Sequence, residues 1–184
     1  MKKYYSKFKK KFASSFGFTL IETLVALAIF SASVVALISV TASGVANTNF
    51  AKNKITASYL AQEGVELVRN IRDNAILGSN DWTEFLSDIG PCGGGCTIDP
   101  VDLGVSGCAN AGGCQLFYTS SGNDPGFYRP TISLGEESIF YSLIVVDNNF
   151  SSGAEAKVIS TIFWNQGGAQ RRVSASENLF NWTQ

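Results

Sequence analysis

The stretch Phe18 to Ala46, FTLIETLVALAIFSASVVALISVTASGVA, decides how the chain is read. It holds one charged side chain, Glu22, and no proline. At 1.5 Å per residue it makes a helix about 43 Å long. A bilayer's hydrocarbon core is roughly 30 Å thick, so the run spans it with residues to spare. A secretory signal peptide has an apolar core of only about 7–15 residues, half of what is present here. Gly44-Val45-Ala46 is nevertheless a passable small-x-small cleavage site ahead of Asn47.

Charge is segregated around this run. Residues 1–17 carry Lys2, Lys3, Lys7, Lys9, Lys10 and Lys11 and no acid. The 184-residue chain has 14 Lys+Arg and 15 Asp+Glu, so the part after the leader has a net charge of −7. A lysine cluster on the N-terminal side holds that end in the cytoplasm and sends the acidic body outward. The length suits one domain with an appendage. There is no histidine, which removes Ser-His-Asp and Cys-His catalysis and His-ligated metals. No GxSxG or HExxH motif is present, so an exported hydrolase is disfavoured and no cofactor or resident metal is expected. The overall charge gives no footprint for nucleic acid.

The hexapeptide Gly17-Phe18-Thr19-Leu20-Ile21-Glu22 sits at the junction of the basic and apolar segments. It resembles the cleavage and methylation signature of type IV prepilins and pseudopilins. The parts are a basic leader ending in Gly, then Phe, a Glu at the fifth mature position, and an unbroken apolar helix. The strict resemblance covers residues 1–46. It implies cleavage between Gly17 and Phe18 by a prepilin peptidase/methyltransferase and N-methylation of Phe18. It further implies a filament polymerised through the N-terminal helix, with other pilin subunits, an assembly ATPase and an inner-membrane platform protein as partners. Many major pilins carry a proline at the position of Ser39, so this chain departs from them there.

Glu22 has two compatible readings. Thr19-x-x-Glu22 fits a capping box, and a carboxylate suits the positive end of a helix. The family resemblance adds an intermolecular role, in which Glu22 pairs with the Phe18 ammonium of a neighbouring subunit and sets axial register. A desolvated pair serves register even where its net stability is small.

From Asn47 to Leu77 the pattern is amphipathic. Leu60, Gly64, Leu67, Val68, Ile71 and Ala75 recur at steps of three and four. Glu66–Arg69 and Arg69–Asp73 are spaced for ion pairs along a helix. Gly78-Ser79-Asn80-Asp81 reads as its end. The expectation is one helix from 18 to 77, a membrane or filament-core half (18–46) followed by a half (47–77) packed on a globular head. The alternative is two helices broken near Thr41–Asn49.

The head, 78–184, opens with a loop-rich stretch over 79–130, dense in Gly, Asn, Asp and Ser. It holds all four cysteines, Cys92, Cys96, Cys108 and Cys114. Outside the cytoplasm an even number reads as two bridges. Short-loop closure favours Cys92–Cys96 with Cys108–Cys114. A nested pairing, Cys92–Cys114 with Cys96–Cys108, and a four-cysteine zinc site are the alternatives. The bridges are expected to staple a loop short of apolar residues. Asp99, Asp102 and Asp124 are candidate calcium ligands of the kind some pseudopilins carry, although no EF-hand-type loop is present.

Three segments read as strands of an antiparallel meander within about 138–176: Ser138–Asp147, Glu155–Asn165 and Gln170–Ser176. Turns are expected at Asn148–Gly153 and Gln166–Ala169, with a minor strand at Gln115–Thr119. The fold class is therefore α+β, a long N-terminal helix on a small antiparallel sheet with a Cys loop between. The stretch Lys157–Trp182 also resembles the end of many pilin-like proteins. Trp164 and Trp182 are expected in core or sheet-edge packing, and Arg171 and Arg172 on a solvated strand.

The leading function is a structural subunit of a type IV pilus or pilus-like filament, with the cytoplasmic membrane as waiting station and the cell exterior as destination. Alternatives are a type II secretion pseudopilin, ending in the periplasm, and a singly anchored surface or adhesion protein that never polymerises. The first demands cleavage after Gly17 and sensitivity to Glu22, and the anchored protein demands neither.

Overall fold

A computed structural model describes residues 17, 19–79, 81–108, 113–120, 125–130, 135–150 and 154–182. By internal contact the chain divides into two units, Met1–Asn47 and Thr48–Gln184. One helix, α1 (Leu20–Ser79), enters both, without a break at Thr41–Asn49. The composition explains the continuity: α1 holds no proline and is rich in Ala and Leu, the strongest helix formers. Asn80, in the expected stop signal, lies outside the described residues, and α1 ends at Ser79.

In the first unit every described residue of α1 is exposed. In the second, α1 buries one face: Ala57, Leu60, Ala61, Val65, Val68, Ile71, Ala75 and Ile76. The steps of three and four between them draw the apolar stripe that covers the sheet. Each fully buried Val, Leu or Ile side chain is worth roughly 1.5–3 kcal/mol, so this face, not helix propensity, holds the helix to the head.

The sheet is antiparallel throughout. β5 (Glu136–Phe150) pairs with β6 (Glu155–Gln166), and β6 with β7 (Ala169–Phe180). The other side of β5 is shared by β1 (Cys96–Ile98) near Ile144 and by β3 (Cys114–Tyr118) along Glu136–Ser142. β2 (Val105–Gly107) flanks β1, and β4 (Tyr128–Arg129) flanks β3. Alternation in β6 places Ala156, Val158, Ser160, Ile162 and Trp164 under the helix. β6 and β7 are joined by a two-residue turn, Gly167-Gly168, with φ of 64° and 75°. Both angles lie where only glycine sits without strain, and turns of this kind match the twist of a hairpin.

The sheet is wider than the expected 138–176, running from Cys96 to Phe180. β5 continues past the expected turn at Asn148 to Phe150, with an irregularity in register between Asp147 and Phe150. Residues 151–153 of that turn lie outside the described residues.

The α+β layout is as expected, with a disulfide-bearing segment between the long helix and the C-terminal strands, but 79–130 is not short of apolar residues. It contains α2 (Trp82–Asp88), a 3-10 turn (Gly90–Gly93) and β1 to β4. Asp81 caps α2, accepting from the Thr83 hydroxyl at 2.7 Å and the Thr83 amide at 2.8 Å. Those two bonds hold its carboxyl below the usual range. Trp82, Phe85, Ile89 and Ile98 are buried in the same cluster as Val68 and Ile76 of α1. The disulfides Cys92–Cys96 and Cys108–Cys114 therefore fasten a packed segment, with Cys92 and Cys96 inside its core.

Candidate functional site

The feature that sets this chain apart from an ordinary globular domain is the surface of α1 before Asn47. Leu20, Ile21, Leu24, Val25, Leu27, Ile29 and Phe30 are exposed, and so are Val35, Leu37, Ile38, Val40 and Val45. Leu20 is 77% exposed and Ile38 64%, values a buried core helix never reaches. α1 is long and apolar enough to cross a membrane, and its most apolar window has no buried residue.

Five hydroxyls of this segment are handled as an apolar solvent requires. Ser31 and Ser33 donate to the carbonyls of Leu27 and Ile29 at 2.8 Å. Thr41 donates to Leu37 at 2.9 Å and Ser43 to Ser39 at 3.1 Å. Thr23 reaches back to Leu20 at 2.8 Å. Each of these hydroxyls is satisfied within the helix and needs no water, the condition for sitting in hydrocarbon. The helix runs unbroken through Ser39.

The first turn carries Thr19 and Glu22. The Thr19 hydroxyl accepts the Glu22 amide at 3.3 Å, and the Thr19 carbonyl accepts the Thr23 amide at 3.2 Å. This is the Thr half of the capping box. The Glu22 carboxylate stands exposed beside Ile21, Val25, Ala26 and Ile29. An anion there complements the positive end of the helix. Gly17 is exposed. Phe18 and the leader, residues 1–16, lie outside the described residues, so the bond Gly17–Phe18 falls at their border.

Other candidates resolve into packing. Asp99, a suggested calcium ligand, is buried and accepts Arg129 Nε with both carboxylate oxygens, at 2.8 and 3.0 Å. Asp102 lies 3.9 Å from the same guanidinium, and Asp124 is outside the described residues. Among the described residues no group of three or more His, Cys, Asp or Glu is arranged to hold a metal ion. Trp164 is core, between Phe50 and Phe140, but Trp182 is 56% exposed and does not pack as expected. Glu66 and Arg69 form the expected ion pair. Arg69–Asp73 does not form: Arg69 also binds Glu177 of β7, and Asp73 is held by Arg72. A cross-strand partner such as Glu177 carries no signal in local spacing.

A groove of about 480 Å³ opens in the head between Ile71, Asn74, Ala75, Glu84, Asp88, Leu103 and Val105. Its lining sets no nucleophile beside a base.

Comparison of the chain with protein-family models, with curated proteins and with solved structures returned no match. The functional reading therefore stands on the motif and on the physics of the helix.

Proposed function

We propose that the chain is a structural subunit of a type IV pilus-like filament. The observation that carries this reading is the GFTLIE junction, with basic residues before it and a fully exposed apolar helix after it. A plain anchor needs the apolar helix but not a carboxylate in its first turn. An acid costs energy in a membrane segment, less near the interface than at the centre, and is kept where it has a function.

In this account the subunit waits in the cytoplasmic membrane with its lysine leader inside. A prepilin peptidase cuts after Gly17 and methylates the new Phe18 amine. The apolar half of α1 then leaves lipid for a bundle of identical helices. Both surroundings are apolar, so the exchange yields little hydrophobic gain. Packing and the contact between Glu22 and a neighbour's terminal amine decide register. An assembly ATPase acting through a platform protein supplies the work. The head, joined by two disulfides, is the part that meets the outside.

The test is the sheared surface fraction of the native cells, spun at high speed. The account places the chain in the pelleted polymer, and places a Glu22→Ala chain in the membrane instead. A wild-type chain that stays wholly with membranes makes it a singly anchored protein and refutes the proposal.

A further inference from the structure

Eight cationic side chains follow the leader. Lys157, half-buried on β6, lies opposite Asp147 of β5 and Asn178 of β7, and the other seven fall into two sets. Arg69, Arg72 and Arg129 are each held by carboxylates. Lys52, Lys54, Arg171 and Arg172 are exposed, and none of the four has a carboxylate partner among the described residues. All four lie toward one end of the head, Lys52 and Lys54 on α1 near Asn53 and Arg171 and Arg172 at the start of β7. The Arg171 guanidinium sits 5.6 Å above the Phe50 ring, and Lys54 follows Phe50 by one helical turn. Asn53 donates to Gln166 at 3.2 Å, which ties the β6–β7 turn to the same part of α1.

The same end carries exposed aromatic rings. Phe50 packs on Trp164, and a line of ring contacts runs from Trp164 through Phe140 and Tyr128 to Tyr118. Tyr118 pairs with Glu136 at the start of β5, beside the end of β6. Phe50, Tyr118 and Phe127 are each more than a third exposed. Two acids, Glu136 and Glu137, stand at this end as well, but two strands away from Arg171. The cations are thus gathered on the side of α1 and β7.

This end is close in sequence to the apolar run. Phe50 follows Ala46, the last residue of the apolar run, by four positions. Aromatic rings mixed with Lys and Arg are the composition of the zone where hydrocarbon gives way to headgroups. We infer that this rim docks on the surface of the membrane that holds α1, its four cations on anionic phospholipid headgroups and its rings at the boundary. The inference rests on the membrane span and not on polymerisation. The acidic remainder of the head is kept off the same surface by its charge.

The full chain in lipid nanodiscs tests it. A fluorophore is attached at Gln170→Cys beside the rim, or at Asn178→Cys about 26 Å further along β7. Discs contain nitroxide-headgroup lipid in phosphatidylcholine, with or without phosphatidylglycerol. Expected is quenching at 170 and not at 178, stronger with phosphatidylglycerol and weakened by salt. Arg171→Gln with Arg172→Gln lowers the docked-to-free ratio about fivefold per cation removed. Equal quenching at both positions, or none at 170 in anionic discs, overturns the inference. So does quenching at 170 that appears only in discs holding two copies and ignores lipid charge, which assigns the rim to a second copy. A chain that co-elutes with no lipid defeats the membrane span itself, and is told apart by that elution.

Discussion

Gly64 is where α1 comes closest to the sheet, and Gly64→Ala measures how close. A Cβ built there meets Ser160 Oγ at 2.3 Å, Ser160 Cβ at 3.1 Å and Ile144 Cδ1 at 3.3 Å. Helix propensity alone makes the substitution favourable by about 0.8–1.0 kcal/mol. Rotation of the Ser160 side chain removes the first overlap. The other two require the helix and β5 or β6 to part by a few tenths of an ångström. Overpacking of this kind costs about 1–3 kcal/mol. The net expectation is a loss of about 1 kcal/mol, or roughly 3–5 °C in the melting midpoint of the head. Ser160 supplies the control. Its hydroxyl is buried and finds no partner, a group that costs about 1–3 kcal/mol to leave unpaired. Ser160→Ala should therefore stabilise the head on its own and reduce the cost of Gly64→Ala in the double variant. The assay is thermal and denaturant unfolding of the full chain in detergent, followed by circular dichroism. A Gly64→Ala chain as stable as helix propensity predicts, or costs that simply add in the double variant, would refute the close approach.

Three further outcomes follow from the same structure. Arg129→Met leaves the Asp99 carboxylate buried without its partner, and should cost about 3–5 kcal/mol, whereas Asp102→Asn at the exposed edge of the pair should cost little; equal costs would show that Asp99 and Arg129 are not coupled. Burial raises the Glu63 carboxyl above its ordinary range, beside Leu60, Thr97 and Tyr128. The folded chain then binds that proton more tightly than the unfolded one, so stability from this group is full below the unfolded pKa and falls as pH rises toward the raised value. Glu63→Gln should gain on the wild type across that window, and a difference that does not change between pH 4 and 7 would contradict the burial. Glu22→Ala should leave processing after Gly17 intact and deplete sheared filaments, and normal filaments would remove its role in register.

What could be read from the chain depended on how local the cause was. The helix was legible because both halves carry the 3.6-residue period or an unbroken apolar run, and the stripe through Leu60, Gly64, Val68 and Ile71 is the buried face. β5 and β6 were legible from runs such as Phe140–Val146 and from the alternation Val158, Ser160, Ile162, Trp164. The helix α2 was missed because Gly, Asn and Ser around it suggested loop. Its signal was present in Asp81 as a cap and in Trp82, Phe85 and Ile89 at helical steps. The Asp99–Arg129 and Arg69–Glu177 pairs were out of reach, since their partners are far apart in sequence and only the fold brings them together. Trp182 was misjudged because a terminal aromatic looks the same in sequence whether it packs or protrudes. At the candidate site, the Thr19 cap on Glu22 followed from a four-residue pattern. The partner of the Glu22 carboxylate did not, because in this account it belongs to another copy of the chain.

The central claim concerns one peptide bond, and intact mass with N-terminal peptide mapping of the protein from its native cells tests it. The account predicts a chain beginning at N-methyl-Phe18. A chain beginning at Met1, as an uncut anchor would, or at Asn47, as a secreted protein would, contradicts it.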